Sequence, residues 1–132
     1  MTTVTSPLDP REEDVWTADF TSLLNANETL QSIVSVSVSV ESGADSNPSA
    51  FLPASPAPAI NTAPVTVKLP VPPGLVASQP TATIATGCCV QGPMGGGGGL
   101  SGNSYLLYVL CQTTNPLRKI GVALIVPVRS AS

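Results

Sequence analysis

The sequence predicts an all-β protein, a sandwich of short antiparallel strands, and three observations predict it. Val34, Val36, Val38 and Val40 alternate with Ser35, Ser37 and Ser39, the period-2 signature of a strand with one buried and one wet face. Fourteen prolines and eleven glycines, most of them beyond residue 42, set turn signals between short segments. Only 10% of residues are charged while 42% are hydrophobic, so the surface is built from Ser, Thr, Asn, Gly and Pro. A chain of 132 residues supports one domain with a single modest core.

Taken in order, residues 1–14 read as an N-terminal extension, polar and extended up to Pro7. Asp9 before Pro10, followed by Glu12, Glu13 and Asp14, is a helix-start signal worth a turn or two. The domain proper is expected over 15–129. Trp16, Phe20 and Leu24 recur at four-residue intervals, but Val15 to Phe20 also alternates, and a strand with Trp16 and Phe20 inward is the better reading. A turn at 24–29 leads into the Val/Ser strand, whose four valines are assigned to the core.

Residues 43–80 hold nine prolines and cannot be helix or central strand. The segment reads as an extended arm or loop, mobile in the free protein. Phe51, Leu52 and Ile60 are its candidate interface residues, expected to dock on a neighbouring subunit. Short strands follow at 65–71 and 82–86. Residues 103–114 form a strand apolar on both faces, hence central or covered on both sides. A turn at 114–119 joins it to the last strand, 120–129, with Val122, Leu124 and Val126 inward. Residues 130–132 are a tail.

All eight acidic residues lie between Asp9 and Asp45, so the first 50 residues carry a net −7 and the remainder +4. Such a chain could associate head to tail, but solvation of one end is the simpler reading. Five basic residues cannot neutralise much phosphate, so no nucleic-acid partner is expected. No apolar run reaches 18 residues and no signal peptide is visible, so no membrane partner is expected either.

The stretch GCCVQGPMGGGGGLSGNSYLLYVLC, 87–111, raises three chemistries. A phosphate loop needs a Lys that is absent between Lys68 and Lys119, and a helix where a strand follows. Metal binding would draw on Cys88, Cys89 and Cys111, but the chain has no histidine and a vicinal pair chelates poorly. A disulfide from Cys88 or Cys89 to Cys111 requires those strands to lie in apposition. Free thiols acting as small hydrophobes are the favoured reading. No serine sits in a nucleophile elbow and no base is at hand, so no catalytic residue is assigned, no cofactor is expected, and the chain is read as non-enzymatic.

The ordered parts resemble the phage fibre–tail adaptor family. The resemblance rests on Asp19, Phe20, Leu23 and Leu24, and on Glu28, Thr29, Leu30 and Ser32 leading into the alternating strand. It continues through Gly98, Gly99, Gly102, Tyr105, Leu107, Cys111, Thr113 and Thr114, and closes on Val126, Val128 and Arg129. It covers about 6–42 and 81–129. The proline-rich 43–80 and the TGCCVQG segment depart from the pattern. The resemblance implies an immunoglobulin-like antiparallel sandwich without enzymatic activity. It also implies a place in the virion, assembled in the host bacterial cytoplasm beside other copies and other virion proteins of the tail, neck, fibre or capsid. The leading function is an adaptor linking fibres to tail or neck. Capsid decoration that stabilises the head shell is the alternative, and a carbohydrate- or surface-binding module a second one.

Overall fold

The alternating Val/Ser segment is the longest strand of the protein. A computed structural model describes residues 2–5, 8–68 and 80–129. Their strands are β1 (Thr2–Val4), β2 (Glu13–Asp19), β3 (Leu30–Ser42), β4 (Ala59–Ile60), β5 (Val65–Lys68), β6 (Thr81–Ile84), β7 (Cys89–Gly95), β8 (Ser104–Thr113) and β9 (Lys119–Pro127). Two single 3₁₀ turns, Thr21–Leu23 and Pro48–Phe51, are the helical content among the described residues. One sheet runs β1-β9-β8-β3 and a second β2-β7-β4, while β5 and β6 pair as a separate hairpin. Every strand pair is antiparallel except β1 on β9. The molecule is thus all-β and sandwich-like.

One core lies between the two larger sheets. Trp16, Ala18 and Phe20 come from the β2 side and Val90 and Met94 from β7. They meet Tyr105, Leu107, Val109 and Cys111 of β8 and Val122, Leu124 and Val126 of β9, all buried. β8 is central, between β3 and β9, as its apolar character predicts. The inward sets follow from the period-2 pleat.

β3 departs from its simple alternation. Ile33 pairs with Cys111 and Ser35 with Leu110, so Val34 is the extra residue of a bulge. The bulge flips the phase. Ile33, Val36, Val38 and Val40 pack against the core, whereas Val34 is 45% exposed. The expectation that Val34 shares the buried stripe is corrected on that ground.

Residues 2–5 and 8–14 belong to the sandwich rather than to an extension outside it. β1 adds to the edge of β9, and Leu8 bridges Val128 with its side chain buried. The helix-start signal produces only a turn. Glu12 N–H donates to the Asp9 carbonyl at 2.9 Å, and Asp9 N–H donates to the Glu12 carboxylate at 3.0 Å. Leu69 and Pro70 of the expected 65–71 strand, and the rest of 69–79, lie outside the described residues.

β7 contains Gly92, Pro93 and Gly95, and no alternation announces it. Its glycine is a packing requirement: a Cβ on Gly92 would stand 2.7 Å from the Trp16 indole. Pro93 lies past the two-residue β4, which pairs only with Val90 and Gln91, so its missing N–H breaks no ladder there. Its carbonyl accepts the Trp16 indole N–H at 3.1 Å.

Candidate assembly surfaces

The residues expected to dock on a neighbour dock on their own chain. Phe51 is fully buried, its ring stacked on that of Tyr105 with centroids 4.4 Å apart and planes 5° from parallel. Gly99 lies under the Phe51 ring, where a Cβ would stand 3.0 Å from it, and a Cβ on Gly98 would collide with the Ala50 carbonyl oxygen at 1.9 Å. The glycine run therefore does two things. Gly95, Gly96 and Gly97 turn the chain with positive φ, and Gly98 and Gly99 give the Pro48–Phe51 turn a flat seat. Leu52 and Ile60 pack, partly buried, against the same core. The expectation of a free arm is corrected for the described part of 43–80: burial of Phe51 within the chain offsets the entropy of ordering it.

Polar contacts pin the same segment. The Tyr105 hydroxyl donates to the Asp45 carboxylate at 2.6 Å and accepts from Leu100 N–H at 3.0 Å. The Tyr105 hydroxyl and then Asn47 N–H hold the Asp45 carboxyl below its ordinary pKa, while burial, reinforced by Asp45, pushes that of Tyr105 up. The Asn103 side chain donates to the Ala44 carbonyl at 2.9 Å and accepts Ala44 N–H at 3.4 Å. Asn61 ties β4 to the turn before β7. Its amide donates to the carbonyls of Ala63 and Ala85 at 3.0 and 2.9 Å, and its oxygen accepts Cys88 and Cys89 N–H, each at 3.1 Å. Nothing in the sequence separates Asn61 from the other asparagines; the signal is the fold itself.

The cysteines are three free thiols. Cys89 and Cys111 are fully buried, and burial pushes both up to about 11, with Asp19 adding to the shift of Cys89. Cys88 is half-buried, its Sγ 3.7 Å from the Thr86 carbonyl oxygen. All three are shifted away from the thiolate, the form that attacks or binds metal. Among the described residues no group of three His, Cys, Asp or Glu side chains could hold a metal ion.

Two open surfaces stand out among the described residues. The first is a groove of about 510 Å³ outside the β2-β7-β4 sheet, walled by Glu13, Asp14 and Val15 against Pro56 and Ala57, with Gln91, Gly92 and Pro93 as its floor. The second is the outer face of the β1-β9-β8-β3 sheet. The residues of β8 and β9 that alternate with the core set are Leu106, Tyr108, Leu110, Gly121, Ala123 and Ile125. Tyr108 is 43% exposed and lies over Gly121, where a Cβ would meet its hydroxyl oxygen at 2.1 Å. Val4 on β1, 63% exposed, pairs with Ile125. The serines of β3 flank this apolar strip on the other side. Strand β8 is therefore apolar on both faces but covered, among the described residues, on only one.

No protein-family model, no curated protein and no solved structure matches the chain.

Proposed function

We propose that this chain is a non-enzymatic structural protein of a tailed-phage virion, an adaptor linking fibres to the tail or neck, with an immunoglobulin-like sandwich. The observation that carries the reading is the outer face of β9 and β8. Leu106, Tyr108, Leu110 and Ile125 form an apolar strip with Lys119 at its end, and contiguous apolar surface on a rigid sheet marks a protein contact. Strand order supports the fold. With the β5–β6 hairpin set aside, the seven remaining strands taken in chain order as A to G lie as A-G-F-C and B-E-D. Tyr105, near the start of the sixth of these, turns its hydroxyl back to Leu100 N–H, as a corner tyrosine does. The resemblance of the ordered motifs supplies the virion.

A carbohydrate-binding module stacks sugars on exposed aromatic rings. Trp16, Phe20, Phe51 and Tyr105 are all buried, leaving Tyr108 as the one aromatic residue at the surface. That distribution favours assembly over sugar binding.

The test is mass spectrometry of purified particles separated into heads and tails, with wild-type chain and with Leu106→Asp. The expected result is wild-type chain in the tail fraction and loss of the variant, itself still folded by circular dichroism. Chain found with heads would reassign it to capsid decoration, and chain absent from particles would overturn the virion reading.

A further inference from the structure

The three-residue, two-residue and acidic edges of this sandwich contrast with one long edge that carries a single charge near its end. β1 has three residues and β4 two, the latter directly after Pro58. β2 carries Glu13, Asp14 and Asp19, which would face the same charges on an approaching copy. Short length, proline and charge are the ordinary protections of a sheet edge. β3 is neither short nor interrupted by proline, and its one charge, Glu41, stands at its far end. It is 13 residues long and ends its sheet. In an acid-rich first half, no charged residue lies between Glu28 and Glu41. Among the described residues, no backbone group of 31–42 is bonded outside the ladder with β8.

The sequence of that edge is also self-complementary. Residues 34–40 read VSVSVSV in either direction, centred on Ser37. Bulges between Ile33 and Ser35 and between Val40 and Ser42 bound an unbulged run, Ser35 to Val40. An antiparallel copy placed on a two-fold axis at Ser37 sets Ser35 opposite Ser39 and Val36 opposite Val38. Hydroxyls then meet hydroxyls on one face and valines meet valines on the other. No carboxylate meets a carboxylate, because Glu41 falls opposite Ile33. Val36, Val38 and Val40 are only half-buried within one chain, and the second copy's valines would cover their open side.

We infer that the free edge of β3 pairs antiparallel with β3 of a second copy about a two-fold axis at Ser37, joining two sandwiches through one continuous sheet. The contact is isologous and closes on itself, using up the edge that would otherwise template aggregation. It goes beyond the virion reading and stands without it, since the test uses only the purified chain.

The experiment is cysteine cross-linking of the full chain in a Cys88→Ser background, with a short bis-thiol reagent. Ser37→Cys should cross-link to itself. Ser35→Cys and Ser39→Cys should each fail alone and cross-link when mixed, because only the mixture places two thiols opposite each other. Light scattering should give twice the 13.4 kDa chain mass. Ser37→Lys, an outward substitution, should weaken self-association by roughly tenfold through like charges across the axis, with thermal unfolding measured in parallel to show that the sandwich persists. A wild-type mass that stays at one chain at the highest soluble concentration would overturn the proposal. So would Ser37→Cys cross-linking no better than Ser35→Cys alone, or a Ser37→Lys chain that dimerises as wild type does.

Discussion

The Phe51 ring lies flat on the Tyr105 ring, 4.4 Å between centroids and 5° between planes, joining the proline-rich connection to the penultimate strand. Both rings are fully buried, and the Tyr105 hydroxyl reaches Asp45 in the same connection. Phe51→Ala should therefore act as a core truncation, costing about 3–5 kcal/mol in urea unfolding. A variant within about 0.5 kcal/mol of wild type, the range of an ordinary surface change, would return the connection to the status of a loose arm.

A second anchor predicts an acid limb. Glu28 is buried where the turn after β2 meets the β8–β9 hairpin. Its carboxylate accepts Asn25 N–H at 2.9 Å and the Thr113 hydroxyl at 2.6 Å, and it pairs with Arg118, whose guanidinium also reaches the Leu23 carbonyl. These bonds, Asn25 N–H first and Thr113 next, hold the carboxyl below its ordinary pKa. A carboxyl depressed on folding stabilises above its unfolded pKa, and that contribution is lost as pH falls through the folded value. Wild type should thus exceed Glu28→Gln in stability at neutral pH, with the gap closing below the usual carboxylate range. Denaturant unfolding across a pH series measures it, and a gap constant from neutral to strongly acid solution would remove Glu28 from the account.

The thiols should separate by depth. With Cys89 and Cys111 buried and pushed up to about 11, neither forms much thiolate at neutral pH, and thiolate is the reacting species. A disulfide reagent should modify Cys88 slowly in the folded chain and reach the other two only after denaturant is added. Rapid reaction of all three in the native protein would contradict the packing of β7 against β8.

How much of this was legible depended on whether a segment's own pattern carried the information. Strand β8, apolar on both faces, was legible as a central strand, and the inward face of β9 was legible because Val122, Leu124 and Val126 recur at every second position. Trp16 and Phe20 were, for the same reason. β7 was not, because Gly92 and Pro93 are tolerated only through contacts with Trp16 on another strand and through the shortness of β4. Phe51 was misjudged because proline density says the backbone is extended but not where it lies, and its seat, Tyr105 with Gly98 and Gly99, is more than forty residues away in the chain. Asn61 escaped for a related reason: the four groups that it binds are brought together only by the completed sheet.

The bulge in β3 gives the most discriminating test of that boundary between pattern and packing. Period-2 reasoning places Val34 with Val36, Val38 and Val40, and leaves Ile33 on the wet face. The pairing of Ile33 with Cys111 and of Ser35 with Leu110 reverses the two, leaving Val34 exposed and Ile33 against the core. A bulge of this kind holds only if the register on either side of it is worth more than the pair it omits. Replacing each residue by serine separates the alternatives. Val34→Ser should change stability by no more than about 0.5 kcal/mol, the range of a surface substitution. Ile33→Ser removes partly buried apolar surface from the core and should cost at least about 1 kcal/mol. Calorimetric melting of the two variants beside wild type decides the order. If Val34→Ser melts lower than Ile33→Ser, the alternation runs unbroken through residue 34, and the core-facing register of β3 over its first turn of chain is the simple one.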